Sequence, residues 1–169
     1  MSPVVVLVGP PGAGKSTVGS RVADLLDVEL RDTDALVEAI AGMSVADIFV
    51  DQGEARFREL ERAAVADAVA SHPGVLALGG GSVVDPATRA ALRGAYVVFL
   101  DVTVGESARR VGLDGPRPLL LESPRQVLRK LMDQRRPLYE EVASAHVDTT
   151  GRSPDDVAAE VARLVRDRR

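Results

Sequence analysis

Cysteine is absent from the 169-residue chain, which excludes disulfides, thiolate metal sites and cysteine nucleophiles before any motif is read. Lysine is almost absent as well. Only Lys15 and Lys130 occur, so any role that needs a compact ammonium charge has two candidates. Positive charge is in deficit, with 21 Lys and Arg against 25 Asp and Glu and a net charge of −4, so no overall positive field exists to hold a nucleic acid backbone. The longest apolar runs, 4–8 and 96–100, fall far short of the roughly 18 residues that a membrane-spanning helix needs. No basic residue precedes the first run, which leads into glycines instead of a cleavage site. These features predict a cytoplasmic protein that engages neither membrane nor nucleic acid.

What is present is a globular balance of 46% hydrophobic and 27% charged residues, and the length predicts one domain spanning 1–169. The β-branched run 4–8 ends in glycine and reads as a central, doubly buried strand. Further strands are expected at 28–32, 75–78, 96–100 and, more weakly, 145–148. Helices are expected at 15–26, 33–40, 44–50, 54–70, 86–92, 104–111, 125–142 and 154–166. Gly42 ends the second of these and Ser44 caps the third. In the fourth, Phe57, Leu60, Ala64 and Val65 form the buried stripe. Residues 112–124, with Gly112, Gly115, Pro116, Pro118 and Pro124, predict a mobile loop. Strands alternating with helices imply an α/β fold of three layers around a five-stranded parallel sheet. Ligands bind such sheets beyond the carboxyl ends of the strands, where the glycine clusters fall.

Gly9-Pro10-Pro11-Gly12-Ala13-Gly14-Lys15-Ser16-Thr17 fits the full GxxxxGK[ST] pattern between a predicted strand and a predicted helix. Its backbone N–H groups and the helix start would cradle phosphates, Lys15 would reach the outer phosphates, and Ser16 could ligate Mg²⁺. The plain alternative is a glycine-rich turn with a surface lysine. No NKxD tetrapeptide occurs, so guanine selectivity lacks its usual basis. The third strand ends in Gly79-Gly80-Gly81 rather than an acid, so a metal-binding carboxylate has to come from elsewhere. Asp32-Thr33-Asp34 offers two carboxylates leaving a strand on the same side. One can serve Mg²⁺ while the other accepts a proton from a substrate hydroxyl. In the alternative reading Asp32 merely ends a strand and Asp34 caps a helix.

Asp32-Thr33-Asp34, Arg58, Glu61, the run Ala77-Leu78-Gly79-Gly80-Gly81 and Arg135-Arg136-Pro137-Leu138-Tyr139 together resemble shikimate kinases over nearly the whole chain. The resemblance implies a nucleoside monophosphate kinase-like fold with a small helical substrate-binding region at about 33–60 and a mobile lid at about 112–124. It also implies transfer of the ATP γ-phosphate to the 3-hydroxyl of shikimate in aromatic amino-acid biosynthesis, with Mg²⁺ as cofactor and a monomer as the working form. By the same resemblance Arg58, Arg135, Gly79, Gly80 and Gly81 hold shikimate, and Glu61 orients Arg58. A guanidinium matches a carboxylate two-on-two, and glycine lets backbone N–H groups approach closely. Asp34 takes the hydroxyl proton, Asp32 orients waters on Mg²⁺, and Ser16 binds the ion.

Gly12, Ala13, Gly14, Lys15, Ser16 and Thr17 hold the nucleotide phosphates in this reading, and Arg117 swings over them from the lid. Apart from the resemblance, Arg117 would equally serve as an exposed loop arginine. Phe49 and Phe57 flank the substrate ring, although buried phenylalanine is ordinarily core. Val45, Pro118 and Leu119 line the same pocket. Arg110, Arg152 and Pro154 match adenine-sandwiching positions, with Arg109 adjacent and no motif to choose between the two arginines. His72 and His146 have no ligand-spaced partners and read as surface or strand residues. Arg31, where the family usually has an apolar residue, is expected to snorkel from a sheet edge. Two rival readings share the phosphate loop: a kinase of another small acceptor such as gluconate, and a protein that uses ATP only as a switch.

Overall fold

The computed structural model describes residues 1–112 and 123–168. Its five strands are β1 (Val5–Val8), β2 (Leu30–Asp32), β3 (Val75–Ala77), β4 (Val97–Asp101) and β5 (Ala145–Asp148). They form one parallel sheet in the order β2-β3-β1-β4-β5. β1 is central, as its unbroken β-branched run requires. The chain leaves β1 toward β2 and β3 on one side and later crosses to β4 on the other. The carboxyl end of β1 is therefore the point at which the winding reverses, where a ligand crevice opens.

Eight helices connect and flank the strands among the described residues: α1 (Lys15–Leu26), α2 (Thr33–Ala41), α3 (Val45–Gln52), α4 (Glu54–Ser71), α5 (Pro86–Ala91), α6 (Val104–Arg110), α7 (Pro124–Val142) and α8 (Pro154–Asp167). The alternation of side chains along β1 splits the core in two. Val5 and Leu7 pack with Val18 and Val22 of α1 and Val157 and Val161 of α8. Val6 and Val8 face the opposite layer, with Val65 and Ala68 of α4, Leu92 beyond α5 and Tyr139 of α7. A third, smaller core joins α2, α3 and α4 through Val37, Ile48, Phe57, Leu60 and Ala64.

Helix boundaries follow side-chain caps. Ser44, Asp85, Thr103 and Ser153 each accept a backbone N–H at a helix start. Ser123 and Gln126 close a reciprocal capping box. That box puts Pro124 in the first turn of α7, inside the helix and not in the preceding loop where the sequence reading had it. One further boundary is corrected. The second strand is shorter than 28–32 because Val28 spends its N–H on Ala23 at the end of α1. A 3₁₀ turn at Ser82–Val84, unforeseen, follows the triple glycine.

His72 is buried, not a surface residue. Its Nε2 lies 3.2 Å from the Glu29 carbonyl and 3.0 Å from the Val75 carbonyl, so it donates between the approach to β2 and the start of β3. His146 lies on β5 as expected, stacked on Phe99 with centroids 4.9 Å apart and hydrogen-bonded to Asp101. Arg31 sits on edge strand β2, half-buried. No helix among the described residues is long and apolar enough to cross a membrane.

Candidate active site

The glycine-rich loop between β1 and α1 is held from outside. Lys15 Nζ donates to the carbonyls of Gly9 at 2.7 Å and Pro10 at 3.0 Å. Ser107 Oγ donates to the Pro11 carbonyl at 2.6 Å and Arg110 Nη1 to the Gly12 carbonyl at 2.8 Å. Four successive carbonyls are thus occupied, which leaves a cradle whose remaining polar character is that of N–H donors. Gly12 has φ 76°, and a Cβ there would lie 2.9 Å from the backbone oxygen of Ser107. Burial pulls the Lys15 ammonium down to about 8. Asp34 and Asp32 pull it back up, and Arg135 adds to the lowering. A desolvated ammonium of this kind gains most when phosphate charge arrives.

Asp32 does two things with its two oxygens. Oδ1 accepts the N–H groups of Asp34 at 2.9 Å and Ala35 at 3.4 Å, capping α2. Oδ2 accepts the Ser16 hydroxyl at 2.5 Å. The cap therefore belongs to Asp32 and not to Asp34, which sits in the first turn with its carboxylate committed to no cap. Burial pushes the Asp34 carboxyl up, and the carboxylates of Asp32, Glu61 and Glu38 push it further, against the opposing pull of Lys15. A carboxylate so placed holds a proton more readily than an ordinary one.

The triple glycine after β3 is crowded by charge. A Cβ on Gly79 would lie 2.7 Å from Asp34 Oδ1 and 3.1 Å from Glu61 Oε2; one on Gly81 would lie 2.6 Å from Arg58 Nη2. Gly80 lies against Pro11 of the phosphate loop. The Gly79 N–H donates to the buried Thr33 hydroxyl at 3.0 Å. On α4 Arg58 Nη1 donates to Glu61 Oε1 at 2.8 Å. Glu61 is only 3% exposed, so this pairing is what makes its buried charge tolerable. Arg135 of α7 acts electrostatically on Lys15 and on the phenol of Tyr139.

Phe57 is buried in the small helical core, and the more exposed Phe49 lies against it with ring centroids 4.8 Å apart. The Arg58 guanidinium stands 5.2 Å from the centre of the Phe57 ring. Val45 packs at the edge of that core.

A cavity of about 780 Å³ opens at the carboxyl ends of the strands. Gly12, Ala13, Gly14, Lys15, Ser16, Thr17, Asp32, Asp34, Gly79, Gly80, Arg110, Arg152 and Pro154 all line it. Val45, Phe49, Phe57, Arg58, Glu61, Gly81 and Arg135 are outside that lining. Of these, Glu61 reaches Gly79 and Arg58 reaches Gly81, while Val45, Phe49 and Phe57 belong to or lie against the small helical core. Arg117, Pro118 and Leu119 lie outside the described residues. Arg110 also donates to the hydroxyl and carbonyl of Thr149, at 3.1 and 2.9 Å. It thereby ties the phosphate loop to the turn after β5. Arg109 also lines the cavity, largely exposed and paired with Glu106. Sequence reasoning missed Thr33, Ser107, Thr149 and Tyr139. Thr33 and Tyr139 lie inside motifs that were read, and only their neighbours were given roles.

Among the described residues no group of three or more His, Cys, Asp or Glu could hold a metal alone. The oxygen donors Ser16 and Asp32 at the phosphate cradle do suit a Mg²⁺ ion that takes its remaining ligands from phosphate and water.

Comparison with known proteins gives a consistent answer. The family model described as shikimate kinase matches residues 11–166. A shikimate kinase of Salinispora arenicola is 58% identical over 165 residues, 98% of this chain and 99% of that one. The solved shikimate kinase of Acinetobacter baumannii, in complex with shikimate, superposes with a TM-score of 0.90 at 36% identity, covering 100% of this chain and 95% of that one. A gluconokinase of Sinorhizobium meliloti shares the fold alone, with a TM-score of 0.59 at 21% identity, over 96% and 93% of the two chains. With a family model over most of its length and a relative matched end to end, the chain belongs to the shikimate kinase family.

Proposed function

We propose that this chain transfers the γ-phosphoryl group of ATP to the 3-hydroxyl of shikimate, giving shikimate 3-phosphate and ADP in aromatic amino-acid biosynthesis. The observation that carries the reading is the junction at Gly79. There the acid pair beside the phosphate loop meets the Arg58–Glu61 pair, so a donor phosphate and an anionic acceptor can share one boundary.

Gly12 to Thr17 and the start of α1 bind the phosphates, and Lys15 leaves its loop carbonyls to meet them. Ser16 would hold Mg²⁺ and Asp32 would orient its waters; the ion would supply charge neutralisation to the phosphates. Arg58 and Arg135 take the acceptor carboxylate in bidentate fashion, while the Gly80 and Gly81 N–H groups receive its other oxygens. Glu61 keeps the Arg58 fork turned to the acceptor. Asp34 accepts a hydrogen bond from the attacking hydroxyl and then its proton as the O–P bond forms. Its raised pKa suits it to keep that proton. Val45, Phe49 and Phe57 wall the acceptor ring. Arg110, Arg152 and Pro154 border the base, with Arg110 acting as a tie for the loop. Arg117, Pro118 and Leu119 enter through the family resemblance, as do the monomeric state, the single domain over 1–169 with its acceptor-binding region at 33–60 and its lid at 112–124, and the cytoplasmic setting.

The test is ADP release from Mg-ATP with and without shikimate, with mass spectrometry of the organic product. Release that depends on shikimate and a product heavier by one phosphate support the reading. ADP formed equally without shikimate, or with gluconate in its place, overturns it.

A further inference from the structure

Tyr139 is almost fully buried, 1% exposed, and its phenol stands against the triple glycine. The hydroxyl donates to the Gly80 carbonyl at 2.6 Å. The positive charge of Arg135, one helical turn earlier on α7, acts on its oxygen. The ring leans on Phe99 of β4 with centroids 5.1 Å apart, so its position is fixed by the sheet. Burial pushes the phenol up to about 12, so the proton that bonds Gly80 stays in place at any working pH.

The consequence follows from peptide geometry. The Gly80–Gly81 bond is trans, since no peptide bond among the described residues is cis. Its C=O and the next N–H therefore point in opposite directions within one plane. A hydrogen bond that fixes the Gly80 oxygen toward Tyr139 aims the Gly81 N–H away from it. Gly81 is the residue whose missing Cβ leaves room for the Arg58 fork. One hydroxyl thus orients a backbone donor beside Arg58 and places its oxygen within reach of the Arg135 charge.

We infer that Tyr139 is a positioning residue for the acceptor, aligning the Gly81 N–H on one of its oxygens and the Arg135 guanidinium on its carboxylate while touching neither acceptor nor nucleotide. The inference rests on the proposed reaction and assigns a residue that the reaction itself leaves unexplained. Phenylalanine at this position would keep the ring on Phe99 and remove only the bond to Gly80 and the polar oxygen that faces the Arg135 charge.

The experiment compares the full chain with Tyr139→Phe, Arg135→Lys and the double variant, measuring melting temperature, kcat and the KM of each substrate. Tyr139→Phe is expected to raise the KM for shikimate by about tenfold, the order expected for a lost hydrogen bond to a charged group. The KM for ATP stays within about twofold. Because Tyr139 acts through Arg135, the double variant loses less than the product of the single losses. A shikimate KM within about twofold of the parent overturns the inference. So does a parallel rise of both KM values with a lowered melting temperature, which marks a core residue. A parent chain that releases no shikimate-dependent ADP strikes at the reaction itself; an active parent beside an unchanged Tyr139→Phe removes only the role of Tyr139.

Discussion

Two glycine-rich turns border the active site, and they use glycine for different reasons. In the turn after β1, Gly12 and Gly14 have φ of 76° and 91°, so the backbone itself adopts a form that side chains resist. In the turn after β3 none of Gly79, Gly80 and Gly81 has positive φ. There glycine is needed because Asp34, Glu61 and Arg58 occupy the space that a Cβ would fill. The first turn is shaped by its own dihedral angles, the second by side chains from distant parts of the chain. A phosphate cradle can therefore be written into consecutive residues, whereas an acceptor pocket has to be assembled.

The comparison can be broken by substitution, beginning with the carboxylate that lies under Gly79. Asp34→Asn keeps the shape beside the glycine but removes the proposed proton acceptor, and it is expected to lower kcat by at least about 100-fold. Mg-ATP binding, measured by calorimetry, should be nearly unchanged. The same variant should melt higher than the parent. The folded pKa of Asp34 is raised, so its stabilising proton is present at low pH and is lost as pH rises through the folded pKa, leaving a charge that the fold tolerates poorly. A lower melting temperature at neutral pH would contradict that sign.

Next come the glycines themselves. In Gly12→Ala the new methyl meets the Ser107 backbone, which cannot swing aside, and the left-handed backbone costs about 1–2 kcal/mol more. The melting temperature should fall by at least about 4 °C, with ATP affinity lost in parallel. In Gly81→Ala the methyl meets only the tip of Arg58, which can move. Stability should change by less than about 2 °C, while the KM for shikimate rises by about 10- to 100-fold as the displaced fork loses a charged hydrogen bond. Should both variants unfold alike, or both lose ATP and shikimate affinity equally, the distinction between the turns fails.

The smallest effect is a pH profile. With the Lys15 ammonium at about 8 in the free protein, kcat/KM for ATP should fall about tenfold per pH unit above that value. The limb in kcat should lie at higher pH, because bound phosphate favours the charged form. Between about 8 and the ordinary value of 10.5 an unfolded chain binds a proton at Lys15 that the folded chain does not. This residue therefore adds stability as pH rises through that window. A profile flat to pH 10 would show that Lys15 keeps its charge without phosphate.

The same contrast explains what was legible in the sequence. The phosphate loop is nine adjacent residues, and every one of them that was read as binding lines the cavity. Helix limits were legible to within a residue or two because Ser44, Pro86 and Pro154 carry their boundary chemistry locally. Arg58 and Glu61 could be paired from their i,i+3 spacing, but no spacing tells that their partner surface is Gly79 to Gly81. The hydroxyl of Tyr139 and the carbonyl it holds are 59 positions apart, and Ser107 is 96 from the carbonyl it holds. Such contacts exist only once the sheet order is fixed. His72 lies in Ser71-His72-Pro73-Gly74, which has the composition of an exposed turn. Its burial comes from β2 pairing with β3 across it, a fact of topology and not of local pattern.

The small core of α2, α3 and α4 has a consequence for how such enzymes diverge. Its five buried residues are distinct from those of the two sheet cores, and Leu36 alone flanks both it and the core on the α4 side of the sheet. Arg58 and Glu61 ride on the stretch of α4 that this core supports, whereas the phosphate loop rests on β1. Repacking Val37, Ile48, Phe57, Leu60 or Ala64 can therefore retune the acceptor end while leaving the donor end in its inherited form. Over evolutionary time a lineage can trade one acceptor for another here and keep its ATP machinery throughout.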